Sequence, residues 1–427
     1  MATMRLLASD PLTQEEAEAF HSVGAGTLMG ELLRRYWWPI GISADLKDKP
    51  TLVRLLGEDL VLFRDGDGKV GAIAARCAHR GVNLCFGTTE SYGLRCRYHG
   101  WLYDIHGNVL DTPGESDDDF KDTFKQPAYK AEELGGAIWL YMGPDPTPLL
   151  PRLIFLVQGT PKCQLGQFEN HNWLNGVENG CDPIHTTFLH GSVWQYVSAI
   201  PDDVRFEAMG DQFGNPWGIF YKAHRAAGSV TGTRGTVSTG DQVEDWRING
   251  ITMPGISRTM SIPDGYDYPI TVGGRWSVPI DDTHTLHFTF ANPAFRDTRE
   301  NRQGQQAEMV NGGPRGTASS ASPAVVPEPF KEYKNVEPGE KVVLGYDIPP
   351  GPGPEDATMR QSLGLVGERM PNEHLMPNAD VGVTQLRRLY LEQAYLVREG
   401  RDPMGVVRDP AENEYIEIRG DTTWPLD

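Results

Sequence analysis

The sequence predicts an α+β protein: an N-terminal all-β domain, then a larger domain that sets helices against an antiparallel sheet. Three observations predict this. Short apolar runs broken by Gly, Asp and Asn turns fill residues 52–142. A Pro-rich exit, Gly143-Pro144-Asp145-Pro146, closes that stretch. Beyond it, strand-like alternation at Thr285–Phe290 coexists with a helical pattern from Val383 to Glu399. At 427 residues the chain exceeds the size at which one core usually divides, so two or three domains are expected.

In chain order, residues 14–37 read as a helical segment, opening on the polar turn Gln14–Phe20, resuming after Gly24-Ala25-Gly26 and ending at Pro39. Val53–Leu56 and Leu60–Arg64 read as strands; Asp65-Gly66-Asp67-Gly68 then turns the chain into Val70–Ala74. Leu102–Ile105, His106-Gly107-Asn108 and Val109-Leu110 form a second hairpin, and Ala137–Met142 is a final apolar strand. The resulting division is 1–38 for a helical segment, 39–147 for the first domain and 148–427 for the second. In the second, Gly273–Val278 reads as a strand, whereas 312–354 is rich in Pro, Gly and Ser and reads as a long surface excursion.

Composition narrows the function classes. A hydrophobic fraction of 39% and a charged fraction of 23% suit a globular protein with sizeable cores. A net charge of −19 argues against nucleic acid and anionic membrane surfaces as partners. There is no run of about 18 apolar residues, and acidic residues interrupt the N-terminus, unlike a secretory signal. Five cysteines do not suggest a disulfide framework, so reduced thiols and a cytoplasmic setting are expected.

The most informative stretch is Cys77-Ala78-His79, sixteen residues, then Cys96-Arg97-Tyr98-His99. Two thiolates and two imidazoles suit a Rieske [2Fe–2S] centre, in which two Cys hold one iron and two His the other, raising the potential to roughly −150 to +300 mV. A structural zinc ion also accepts Cys2His2 sets, although zinc ligand pairs more often have two to four residues between them and a Cys-x-His pair is uncommon there. Gly81 and Gly100 allow close backbone approach, where amides can point at the sulfurs. Cys85, Cys163 and Cys181 read as structural thiols.

A second constellation is Asp182-Pro183-Ile184-His185, followed by His190. Its residue types match a 2-His-1-carboxylate iron site. On an ideal helix positions i and i+5 lie about 140° apart, so both imidazoles meet one metal only if the helix is locally distorted, for example by a π-type bulge. Asp182 and His185 share a face. Taken alone, Asp182 could also be a helix N-cap preceding Pro183.

The flanks Cys77-Ala78-His79-Arg80-Gly81 and Cys96-Arg97-Tyr98-His99-Gly100-Trp101 closely resemble the two cluster loops of Rieske oxygenases. With Arg34-Arg35-Tyr36-Trp37-Trp38-Pro39 and the second constellation, the chain resembles the oxygenase (alpha) component of Rieske non-haem iron oxygenases over about residues 26–300, in the branch of phthalate dioxygenase and aromatic O-demethylases. That resemblance implies a helix-grip-like catalytic domain and a mononuclear Fe(II) held by His185, His190 and a downstream carboxylate. Glu355-Asp356 before Ala357-Thr358-Met359-Arg360 resembles the segment that supplies it, making Asp356 the expected third ligand, with Asp347 and Asp380 as fallbacks. The resemblance further implies a head-to-tail homotrimer, or a hexamer of stacked trimers, in which Asp182 bridges His185 to His99 of the next subunit.

The expected chemistry is mono- or dioxygenation, or O-demethylation, of a small aromatic and carboxylated substrate, an EC 1.14-type reaction using O2 and NAD(P)H electrons. A separate flavin- or ferredoxin-type reductase is required, because the chain has no Gly-x-Gly-x-x-Gly turn before a helix and no plant-type ferredoxin Cys set. Trp194, Trp217, Phe220, Trp276, Phe288 and Phe290 are possible pocket walls, and Arg247 and Arg258 possible partners for a substrate carboxylate. The competing readings are a zinc-stabilised binding protein without redox role and a Rieske electron carrier without oxygenase activity.

Overall fold

The computed structural model describes residues 12–182, 184–185, 189, 203–208, 217–225, 245–261, 270–292, 294, 352–377 and 379–418. Helix α1 (Gln14–Ala19) starts at a capping box: Thr13 Oγ1 accepts the Glu16 amide and Glu16 accepts the Thr13 amide. Helix α2 (Leu28–Leu33) starts at Thr27, whose hydroxyl accepts the Gly30 amide. The helical segment expected over 14–37 is therefore two short helices, and its end comes earlier. Trp37 already belongs to strand β1 (Trp37–Ile42), where Trp37, Trp38 and Ile40 gain more by burial in a sheet than by extending a helix. The pairing register shifts between Pro39 and Gly41.

Strands β2 (Thr51–Leu55), β3 (Glu58–Arg64) and β4 (Val70–Ala74) follow as the apolar runs predict. After them come β5 (Thr88–Glu90), β6 (Gly93–Arg95), β7 (Leu102–Tyr103), β8 (Val109–Asp111), β9 (Ala128–Leu134) and β10 (Ala137–Tyr141). They make a six-stranded sheet in the order β1-β10-β9-β4-β3-β2 and a four-stranded sheet β5-β6-β7-β8. Cys77 and Cys96 are buried in a small core with Val61, Phe63, Leu94 and Tyr103, and Cys85 packs half-buried against it.

Helix α3 (Ile154–Val157) leads to a third sheet. Its strands are β11 (Lys162–Glu169), β12 (Asp203–Ala208), β13 (Gly218–Arg225), β14 (Asp245–Thr252), β15 (Ile256–Ser261), β16 (Ile270–Asp281) and β17 (His284–Ala291). All neighbours pair antiparallel in the order β11-β17-β16-β15-β14-β13-β12. Helix α4 (Trp173–Glu178) lies between β11 and β12 in sequence, and every one of its residues is buried. Helices α5 (Pro352–Ser362), α6 (Val366–Arg369) and α7 (Val381–Arg398) follow. Pro352–Pro354, expected within the surface excursion, instead open α5, where proline's fixed φ suits a first turn.

One apolar core joins the six- and seven-stranded sheets. Trp139 on β10 meets Trp276 with ring centroids 5.5 Å apart and Phe290 at 5.3 Å. The turn after β2 adds two backbone bonds to β16, Leu56 N to Pro279 O and Gly57 N to Ile280 O, at 2.9 and 2.8 Å. Trp276, Phe288 and Phe290 are all buried in this core, where the Trp276 and Phe290 rings meet at 4.9 Å, and Trp276 also lines a small apolar cavity. Among the described residues no helix is long and apolar enough to cross a membrane.

Candidate metal centres

The two Cys-His loops have the same backbone plan. Each cysteine amide donates to the carbonyl five residues on, Cys77 N to Val82 O at 2.9 Å and Cys96 N to Trp101 O at 2.7 Å. Each following glycine donates back, Gly81 N to Cys77 O at 2.8 Å and Gly100 N to Cys96 O at 3.0 Å. Both glycines hold positive φ, 74° and 80°. Their role is therefore a left-handed turn; their amides serve the cysteine carbonyls, not the sulfurs. Two buried thiols and two imidazoles emerge on one side, with the His79 and His99 rings 4.6 Å apart.

The surroundings fit a cluster. Burial raises the Cys77 thiol, so a thiolate there needs compensation, which two irons would provide. Tyr103 Oη shares a hydrogen bond of 3.0 Å with Cys77 Sγ, and burial keeps that phenol protonated, so it donates to a thiolate. Such donors help set the potential. His79 stacks on Trp101 at 5.0 Å. Gln126, fully buried, pins the first loop: its amide nitrogen donates to Ala74 O and Arg76 O at 2.8 Å, and its oxygen accepts from Ala78 N at 2.9 Å.

The second constellation is built on the end of α4. Gly176 lets this helix sit close to the sheet, since a Cβ there would lie 2.7 Å from Ser277 Oγ. Past the helix, Asp182 divides its carboxylate between two tasks. Oδ1 accepts the Ile184 and His185 amides at 2.8 and 3.2 Å, as an N-cap would, while Oδ2 faces His185 Nδ1 at 3.5 Å. Burial opposes its ionisation, but His185 and these amides outweigh burial and hold the carboxyl below its usual range. On the other side of the ring, Nε2 lies 3.6 Å from Asp356 Oδ1 and 3.1 Å from Asn179 Nδ2. A ring with Nδ1–H toward Asp182 leaves Nε2 as the acceptor, where it takes the Asn179 Nδ2–H; a metal bound at Nε2 would take that donor's place.

His185 and Asp356, expected as ligands, are therefore brought together, and Asp182 faces the other nitrogen of the ring. His185 O accepts Leu189 N at 2.7 Å, a helix-type i to i+4 bond. His190, Trp194 and Asp347 lie outside the described residues, as do the side chains of Phe220, Arg247 and Arg258. Asp380 heads α7 and accepts the Met376 amide at 2.7 Å, a contact within the preceding turn. Trp217 is buried, lining a small apolar cavity with Tyr36, Trp37 and Met253.

Beside this site lies a buried group that no sequence motif announced. Glu169, His171 and His287 place ligand-type atoms within 4.8 Å of one another. It has the residue types of a metal site, yet Arg360 grips both Glu169 oxygens at 2.8 and 3.0 Å. A guanidinium there repels a second cation, and His171 already faces Glu169 Oε2 at 2.6 Å and Asn172 O at 2.8 Å. Burial works against its charge, but His171, His287 and Arg360 keep Glu169 ionised far below the usual carboxylate range. Burial pushes the His287 imidazole down to about 3. A carboxylate and an arginine separated by 191 positions give no local signal.

Comparison with known proteins shows the family. A family profile for the Rieske [2Fe-2S] domain matches residues 36–128. The chain is 33% identical over 407 residues to the phenoxybenzoate dioxygenase subunit alpha of Ectopseudomonas oleovorans, covering 90% of this chain and 86% of the relative. It is 30% identical over 419 residues to the 5,5'-dehydrodivanillate O-demethylase oxygenase subunit of Sphingobium sp., covering 95% and 86%. Among solved structures, the oxygenase in the reduced oxygenase–ferredoxin complex of carbazole 1,9a-dioxygenase superposes with a TM-score of 0.56 at 19% identity, covering 94% and 97%, which supports the fold. With relatives this similar along nearly the whole chain, the protein belongs to the Rieske non-haem iron oxygenases, as an oxygenase subunit that works with a [2Fe–2S] cluster and a mononuclear iron.

Proposed function

We propose that Cys77, His79, Cys96 and His99 hold the cluster, that His185, His190 and Asp356 hold the mononuclear iron, and that the reaction is oxygenation or O-demethylation of an aromatic, carboxylated substrate. The observation that carries the iron assignment is the His185 ring, turned with Nδ1 toward Asp182 and Nε2 toward Asp356. Bound there, Fe(II) supplies O2 activation and the cluster supplies a second electron. The chain's own residues do the rest. Asp356 would contribute one carboxylate to a site completed by the two histidines. Asp182 fixes the His185 tautomer and raises its basicity as a ligand.

A ferredoxin- or reductase-type partner delivers the electrons. In a head-to-tail homotrimer, the Asp182 carboxylate extends to His99 of the next subunit, so the ring closes around three cluster-to-iron junctions. The aromatic substrate class rests on the two relatives named above, whose names specify a phenoxybenzoate and a dehydrodivanillate.

The test is a panel of aromatic ethers and aromatic acids turned over with a surrogate reductase and ferredoxin. Formaldehyde release marks demethylation; a cis-diol marks dioxygenation. Asp182→Asn is expected to keep both metals while slowing substrate-dependent reoxidation of the reduced cluster at least 10-fold, in line with changes beyond the metal's own ligands. Reoxidation at the normal rate in that variant sinks the bridge, and a panel without aromatic product sinks the substrate class.

A further inference from the structure

We propose that Arg360, locked in place by Glu169, is a positioning residue that aims Asp356 and Asn179 at the metal-facing nitrogen of His185. This rests on the reading of His185 and Asp356 as iron ligands. Arg360 and Asp356 lie four residues apart on α5, so they share a helix face. Arg360 Nη1 lies 2.7 Å from Asn179 Oδ1 and 3.5 Å from Asp356 Oδ2. One guanidinium nitrogen thus contacts both groups that flank His185 Nε2.

The guanidinium cannot swing, because its other two nitrogens hold Glu169 in a fork, Nε at 3.0 Å and Nη2 at 2.8 Å. Glu169 is itself held by His171 and, at 3.4 Å, by His287 Nε2. Glu169 is 2% exposed and Arg360 2%, so water does not compete for either. Arg275 on β16 stands within electrostatic reach of Glu169 and Asp356, so two carboxylates face two guanidiniums. The cluster that resembles a metal site is thus a neutral brace, built where β11, β17 and α5 meet. It ties the iron carboxylate to the rigid end of a strand.

The brace predicts a split between folding and metal geometry. Arg360→Lys keeps the charge but loses the fork. The double variant Glu169→Gln with Arg360→Met removes both charges with little change in volume, a replacement that buried ion pairs commonly tolerate. Both are purified as full chains with the cluster in place. The measurements are Fe(II) affinity by chelator competition, the EPR spectrum of the ferrous site with nitric oxide as probe, the cluster EPR spectrum, and thermal unfolding.

The expected result is Fe(II) affinity lower by about 10–100-fold in both variants, the range for partners just outside a metal's ligand shell. The nitrosyl spectrum changes, the cluster spectrum does not, and the double variant unfolds near the wild-type temperature. Wild-type affinity and an unchanged nitrosyl spectrum in either folded variant overturn the proposal. His185→Ala separates the two readings, because it loses the iron whether or not Arg360 positions anything. Iron kept in His185→Ala but lost in His287→Ala puts the metal in the Glu169 cluster and overturns both.

Discussion

The two metal-binding regions of this chain are built by opposite strategies. The four proposed cluster residues lie between positions 77 and 99, on two loops whose own turns close within five residues, braced by Tyr103 and Gln126 from just downstream. The residues around the proposed iron site stand at positions 179, 182, 185 and 356, and the brace behind them brings in 169, 171, 287 and 360. The first region presents His79 to solvent and buries its sulfurs; the second holds Asp182, His185 and Asp356 half-buried in front of a fully buried group of charges. A site that must hand on electrons stays near the surface, where local turns can build it. A site that must hold a divalent ion beside several charges needs walls from distant parts of the chain, and buried charges there must be matched pair by pair.

This contrast can be broken or sharpened by experiment. The largest expected effect is a crossed loss. Cys96→Ser removes essentially all cluster absorbance and EPR signal, whereas Asp356→Ala leaves that spectrum in place and removes the mononuclear iron, measured as chelatable Fe(II). Loss of the cluster signal in Asp356→Ala would show that the regions are not independent.

A smaller effect is expected at Gln126, which serves three backbone groups of the first cluster loop. Gln126→Ala orphans them at about 1–3 kcal/mol each where water cannot enter. Urea unfolding reads the loss, and faster bleaching of the cluster should accompany it. An unchanged midpoint and bleaching rate would mean that the loops hold their shape without this support.

The smallest effect is a pH dependence lodged in the second region. His287 stays neutral in the folded protein down to about 3, whereas an unfolded histidine titrates near 6.5. Between these values the unfolded chain binds the extra proton, so stability rises with pH and is lost as pH falls from about 6.5 toward 3. The lowered Glu169 acts in the same direction below the usual carboxylate range. His287→Gln should flatten the upper part of this slope by at most about 1.4 kcal/mol per pH unit. Equal slopes for both proteins in urea melts at pH 7, 5 and 4 would remove His287 from the account.

Much of this was legible in the sequence wherever the interactions are local. The hairpin at Asp65–Gly68, the strand from Ala137 and the last helix follow from turn chemistry and periodicity alone. The spacing of Cys77, His79, Cys96 and His99 marks the proposed cluster ligands, and Asp182 with His185 marks the proposed second site, because each set is held by its own local backbone bonds. The opening segment misled, since Arg34–Trp38 carries helical spacing but Trp37 and Trp38 find a better partner in β10. The same limit applies to Trp276 and Phe290, whose rings pack against Trp139 from another sheet. Only the tertiary structure decided that Arg360 would grip Glu169 and face Asp356 and Asn179. Ion pairs between residues nearly two hundred positions apart are chosen by which charges burial forces together, and no local pattern encodes that choice.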